Sequence, residues 1–151
     1  MTMESDVPFG RQADVSWLLT GLVERVPHAR SALLLSADGL VKAEHGLEPR
    51  TADQVAALAA GLYSLARSAA TLPQVPSATD PGVWEGGGEV RQVVVQLAGA
   101  LLSVCAAGQG ACLAVLTGPE ADPAVLGYEM ALLVKSVRAF LTTPARQRAA
   151  R

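Results

Sequence analysis

The stretch EVRQVVVQLAGALLSVCAAGQGACLAVLTGPEADPAVLGYEM, Glu89–Met130, decides the fold. It holds three strand-length apolar runs, Val90–Leu97, Ala100–Ala107 and Ala111–Thr117, broken at Gly99 and at Gly108-Gln109-Gly110. Asp122-Pro123 then opens a helix, with Asp as the N-cap and Pro at the first helical position, where its missing N–H costs nothing. The runs are apolar on both alternating faces, whereas a sheet with one solvated face would alternate cleanly. Both faces of the sheet are therefore expected to be covered. Almost no side chain in the stretch can do chemistry, so the domain is better suited to binding than to catalysis.

Working outward, the spacing predicts three helices around five strands. Val15, Leu18, Leu19, Leu22 and Val26 fall at helical intervals, and Pro27 closes that helix. Ala29–Ser36 reads as a strand, Asp38-Gly39 as a tight turn and Leu40–His45 as the hairpin partner. Thr51 and Gln54 have the spacing of a capping box heading a second helix, in which Val55, Leu58, Ala59, Leu62, Leu65 and Ala66 make one apolar face. The rest of that helix carries Ala56, Ala57, Ala60 and Gly61 where a solvated helix would carry charge. The third helix is expected from about Pro123 to Leu141, with Leu126, Met130, Leu133, Val137 and Phe140 inward and Pro144 after its end.

Between the second helix and the third strand, Thr71–Gly88 holds Pro73, Pro76, Pro81 and the run Gly86-Gly87-Gly88, so it continues neither neighbour. A loop of this length is uncommon in a compact domain. Trp84 within it reads as a pin that holds the loop to the domain, the alternative being an exposed contact. The chain then divides into an N-terminal segment 1–12 expected to be flexible, one domain over 13–143 with 72–88 as a long loop or insertion, and a flexible basic tail 144–151 carrying Arg146, Arg148 and Arg151.

Composition excludes several classes. Half of the 151 residues are hydrophobic, enough for one domain with a substantial core, but only 4% are aromatic, so that core is aliphatic and rich in Ala. A net charge of -2 argues against a nucleic-acid binder, which would carry a basic surface and stacking aromatics. Met1–Gln12 contains Glu4 and Asp6 and has no apolar core, which argues against a signal peptide. The most apolar stretch, Leu97–Ala107, falls far short of the ~20 residues that span a bilayer. No membrane insertion is expected, and the cytoplasm is the default compartment.

The sequence offers no catalytic constellation. Two cysteines are too few for a disulfide framework, and a three-residue loop at Gly108–Gly110 would pair Ala106 with Cys112 and set Cys105 and Cys112 on opposite faces as separate core thiols. His28 and His45 have no Cys, Asp or Glu at ligand spacing and read as solvated strand-end residues. Gly108-Gln109-Gly110 begins a G-x-G pattern, but Leu113 stands where the third Gly belongs and a strand follows instead of a helix. Gly86–Gly88 lacks the Lys-Ser/Thr of a phosphate loop, and no Ser lies in a G-x-S-x-G elbow. Glu120 and Asp122 sit at a helix entrance, where carboxylates suit the helix dipole. No catalytic residue, cofactor or metal is assigned, and a hydrolase would need a nucleophile and base that the sequence does not offer.

These elements carry a resemblance. The order helix, two strands, helix, three strands, helix is that of the Roadblock/LC7 domain, and local segments match it over roughly Ala13–Leu141. Trp17-Leu18-Leu19 leading to Val26-Pro27, then Leu33-Leu34-Leu35-Ser36-Ala37-Asp38-Gly39-Leu40, resembles the family's first helix and hairpin. Thr51-Ala52-Asp53-Gln54 with Gly61-Leu62 resembles its second helix. Gly86-Gly87-Gly88 with Val90-Arg91-Gln92-Val93-Val94-Val95, and Leu113-Ala114-Val115-Leu116 through Gly127-Tyr128-Glu129-Met130, resemble the third strand and the passage from fifth strand into last helix. The chain is most similar to small actinobacterial members encoded beside a Ras-like GTPase and a sensor-kinase-like protein; the departure is the long segment Leu72–Val83.

The resemblance implies a three-layer α/β/α sandwich of profilin-like layout, order α-β-β-α-β-β-β-α, around a five-stranded, mostly antiparallel sheet. It implies a homodimer formed through the second helix and third strand, which here means Leu58, Gly61, Leu62, Leu65, Val90, Gln92, Val93, Val94 and Val95. An apolar third strand left as an open edge would also invite aggregation, which independently calls for a cover. The implied role is a non-enzymatic regulator or scaffold of a Ras-like GTPase in bacterial signalling, with a sensor-kinase-like protein as a further partner. Arg50 and Arg91 are the nearest candidates for contact with that GTPase. The alternative is a small-molecule sensor of profilin-like or PAS-like layout, which a large internal pocket with convergent polar groups would favour.

Overall fold

The computed structural model describes residues 15–73, 90–108 and 110–150, with the backbone alone over 140–150. Helix α1 covers 15–25, where Val15, Leu19 and Leu22, together with Val26 just beyond, are buried and the chain turns at Pro27. Strand β1 (Ala29–Ser36) and strand β2 (Val41–His45) form the first hairpin around Gly39, whose φ of 91° suits a residue without a side chain. Gly46 ends β2 with φ 85°, and a Cβ there would lie 2.7 Å from the Arg30 carbonyl oxygen, so only glycine lets the chain turn off the sheet at this point.

Helix α2 (Pro49–Ala69) begins earlier than the capping box predicts. Glu48 is its N-cap and makes no side-chain cap bond, and the helix starts on Pro49, whose fixed φ is pre-set for that position. Thr51 therefore lies inside the first turn, and its pairing with Gln54 as a cap does not form. Strand β3 (Val93–Gln96) is shorter than the expected Val90–Leu97, and β4 (Leu101–Ala106) and β5 (Ala111–Thr117) follow. Helix α3 (Pro123–Ala150) starts as predicted, with the Ala124 N–H donating to Asp122 Oδ1 at 2.9 Å. It runs past Leu141 and through Pro144, because a proline removes one ladder bond without barring the turns beyond it. Leu126, Met130, Leu133 and Val137 face the core as expected; the side chains of Phe140, Arg146 and Arg148 lie outside the described residues, as do Trp84, Gly86–Gly88, Met1–Gln12, Gln109 and Arg151.

The five strands form one antiparallel sheet in the order β2-β1-β5-β4-β3. Its apolar residues divide by strand parity between two cores. Ala32, Leu34, Leu113, Val115, Leu101 and Cys105 pack with α1 and α3 on one face. On the other face Leu33, Leu35, Cys112, Ala114, Leu102 and Val104 pack under α2. This is the covered, two-sided sheet that the unbroken apolar runs call for. The β4–β5 hairpin pairs Ala106 with Cys112, and Gly110 takes φ 68° in the three-residue loop. The two thiols are thus buried on opposite faces and free.

Candidate functional site

Strand β3 is one edge of the sheet, and which of its groups are unpaired follows from its turn. The Leu97 N–H donates to the Ala100 carbonyl at 2.8 Å, so Leu97 and Ala100 close a two-residue loop as a hydrogen-bonded pair. Antiparallel pairs alternate from there, which makes Val95–Leu102 and Val93–Val104 hydrogen-bonded and leaves the N–H and C=O groups of Val94 and Gln96 pointing off the sheet. Val93 and Val95 turn their side chains under α2, and Val94 faces the other way beside Ser103.

Above this edge, α2 meets the sheet through Ala52, Ala56 and Ala59, all buried. Leucines at other angles around the helix point away: Leu58 is 62% and Leu65 70% exposed, with Gly61 between them and open space where its Cβ would be. Leu62 is half-buried against the α2-side core. The predicted apolar face is thus split, with Ala59 inward and Leu58 and Leu65 outward, because Leu58 lies about 200° around the helix from Ala56 and Leu65, seven residues on, repeats its angle.

Val90 and Gln92 precede β3 and do not share its edge. Gln92 bridges β4 and α3, its Nε2 lying 3.3 Å from Ser103 Oγ and 3.5 Å from the Pro123 carbonyl oxygen. Gly127 makes room for it, since a Cβ there would sit 2.9 Å from Gln92 Oε1. The strap formed by residues 90–92 is one wall of a groove of about 690 Å³ against α3, lined by Val90, Arg91, Cys105, Met130, Lys135 and Arg138 among others. Arg50 and Arg91 are not brought together: Arg50 follows the β2 edge in the first turn of α2, and Arg91 precedes the β3 edge on the far side of the sheet.

Burial pushes the Cys105 thiol up to about 12, with Cys112 adding to it, and raises Cys112 as well, partly offset by the positive charge of Arg67. Both stay protonated at neutral pH and act as small apolar core groups. His45 is not merely solvated: its Nδ1 lies 2.9 Å from Thr20 Oγ1, tying β2 to α1. His28 stands 3.8 Å from Glu120. No cluster of three or more metal-ligating side chains occurs among the described residues.

The solved Roadblock/LC7 domain from Streptomyces avermitilis is 61% identical, covering 83% of this chain and 96% of its own with a TM-score of 0.69. The chain belongs to the Roadblock/LC7 family. The family model, described as Roadblock/LC7 domain, matches residues 15–74, which are α1, the first hairpin and α2. A second Roadblock/LC7 domain structure from Streptomyces avermitilis is 36% identical over 81% of this chain and 96% of that one, with a TM-score of 0.60. The gliding protein MglB from Thermus thermophilus shares the fold at 22% identity, covering 89% and 90% of the two chains, with a TM-score of 0.66. No curated protein matches the sequence. No described helix is long and apolar enough to cross a membrane.

On this Roadblock/LC7 frame two groups of surface residues escaped sequence reading. Lys135 and Arg138 join Arg91 round the α3 groove, and nothing in their spacing within α3 links them to a residue far back in the chain. Trp17 is 74% exposed at a cleft shared with Leu18, Gly21 and Leu132. Its signal was present, because Trp17 falls off the helical interval of Val15, Leu19 and Leu22.

Proposed function

We propose that this chain is a non-catalytic Roadblock/LC7 homodimer that regulates or scaffolds a Ras-like small GTPase in bacterial signalling. The observation that carries the reading is the β3 edge, unpaired at Val94 and Gln96 among the described residues, next to the exposed leucines of α2. Two copies that pair β3 with β3 would continue the sheet across a twofold axis and bring Leu58, Gly61 and Leu65 of each α2 together. Family kinship supports the GTPase as partner, with a sensor-kinase-like protein as a further one and the cytoplasm as the place. Arg50 and Arg91 remain the side chains proposed to touch the GTPase, and any change in hydrolysis comes mainly from reorganising the GTPase's own switch loops.

Size-exclusion chromatography with light scattering is expected to give a dimer at micromolar concentration. Val94→Pro removes an N–H that faces off the sheet, so the protomer should stay folded while the dimer weakens. A monomeric parent, or a Val94→Pro variant with parental dimer affinity, would overturn the seam. Titration against the GTPase from its gene neighbourhood, in GDP and GTP-analogue forms, tests the partner; no binding in either state removes it. If Arg91→Ala or Arg50→Ala abolished stimulated hydrolysis while affinity held, an arginine finger would replace the switch-loop account.

A further inference from the structure

We infer that the β2 edge is shut to added strands, so the sheet can grow only at β3 and assembly through it stops at two chains. The sheet ends on β2 at one side and on β3 at the other. An incoming antiparallel strand is held by residues two apart whose N–H and C=O groups point off the sheet. Strand β3 offers such a run, Val94 and Gln96, in a register without irregularity. Strand β2 does not.

The Ser36 N–H donates to the Leu40 carbonyl at 2.8 Å. Alternation along β1 therefore turns Ser36, Leu34 and Ala32 toward β2, where Ala43 and His45 stand opposite the last two. Glu44, between Ala43 and His45, points its backbone groups off the sheet. The next residue to do so would stand opposite Leu35, but there the register slips: Leu35 pairs with Val41, and Lys42 is the extra residue of a β-bulge. A bulge bends its strand and breaks the regular spacing of the outward groups. In the other direction Gly46 takes the chain off the sheet at φ 85°, where a Cβ would meet the Arg30 carbonyl oxygen at 2.7 Å. One regular outward residue is left, and it carries a carboxylate, whose Oε1 accepts the Leu47 N–H at 3.0 Å and so stays beside the strand end. Lys42 adds an exposed charge. The closure lies in the backbone of β2 itself, whatever stands next to it. It deepens the dimer proposed above and rests on that reading for where growth begins: a sheet continued across a β3 twofold ends on two β2 strands, so it does not extend into a fibre. Nor can the GTPase dock by adding a strand at β2, which leaves helices and loops for that partner.

Amide hydrogen exchange of the full chain over a concentration series tests the edge. The Val94 amide should slow at least tenfold as the chain self-associates, while the Glu44 amide keeps one rate at every concentration. A Glu44 amide that slows with concentration would overturn the closed edge, whereas a Val94 amide that does not slow would remove the β3 seam and leave the β2 inference standing. Deletion of Lys42 combined with Glu44→Thr restores an unbroken register and should at least double the mass seen by light scattering relative to the parent, with the thermal midpoint kept. Glu44→Thr alone, which leaves the bulge, should keep the parental mass. A folded deletion chain at parental mass, or a gain of mass in Glu44→Thr alone, would overturn the role of the bulge. The exchange measurement needs no deletion, so it decides the matter even where the deletion chain does not fold.

Discussion

The two faces of the sheet are closed in opposite ways. Helices α1 and α3 cover theirs with large, fully buried side chains, Leu19, Leu22, Leu126, Met130, Leu133 and Val137, whereas the fully buried residues of α2 are Ala52, Ala56 and Ala59, with Val55, Leu62 and Tyr63 half-buried around them. Leucines that would be core on one face are surface on the other. The difference teaches that an apolar residue in this chain reports burial only together with its angle around its helix. A helix that meets the sheet mainly through alanines turns Leu58 and Leu65 to the surface.

Truncation on the two faces is the sharpest way to break this contrast. Leu126→Ala, at a fully buried position, should cost about 2–5 kcal/mol in chemical denaturation. Leu65→Ala, measured at a concentration where the protein is monomeric, should stay within about 0.5 kcal/mol. Equal losses would erase the distinction between the faces. Enlargement probes the closeness of α2: Ala56→Leu should destabilise by about 1–3 kcal/mol, because the fully buried Ala56 has no room for a longer side chain.

A smaller effect separates the two thiols. Because the folded pKa of Cys105 is raised to about 12 from 9.0, its contribution to stability is complete below 9.0 and is lost as pH rises toward the folded value. At about pH 10 the loss should be roughly 1 kcal/mol in urea unfolding. Cys105→Ala should remove most of that alkaline loss and Cys112→Ala less, since Arg67 offsets part of the burial at Cys112. Gly61→Ala meets open space in a helix interior and should stabilise the protomer by about 0.5–1 kcal/mol. If α2 pairs closely with its copy, the same added methyl should loosen the dimer seen in light scattering.

Much of this architecture was legible because its signals are local. Asp122-Pro123 marks the start of α3 by chemistry that needs no tertiary context, and Gly110 fixes the β4–β5 register and hence the separation of Cys105 from Cys112. The misreadings fall where a distant contact decides. Val90–Gln92 looks like strand by its apolar pattern, but Gln92 is drawn to Ser103 and to the first turn of α3, so β3 begins at Val93. Thr51 and Gln54 have capping-box spacing, yet Pro49 starts the helix first. Pro144 is a fair stop signal by itself, and only the continuing turns of α3 show it was passed. The α3 groove was invisible because Arg91 meets Lys135 and Arg138 only through folding.

The position of β1 beside β5 has a further consequence, in time. Ala32 pairs with Val115, so the middle of the sheet joins segments roughly 80 residues apart, and the β1–β2 hairpin and the β3-β4-β5 meander become one sheet only when that pair forms. A chain emerging from the ribosome can form α1, the β1–β2 hairpin and α2, but their apolar faces wait uncovered for β5 to be made. Each residue in the connection between α2 and β3 lengthens this wait by its own translation time, although it adds only logarithmically to the entropy of closing the loop. The vulnerable interval lies in synthesis, between the completion of α2 and the arrival of Thr117.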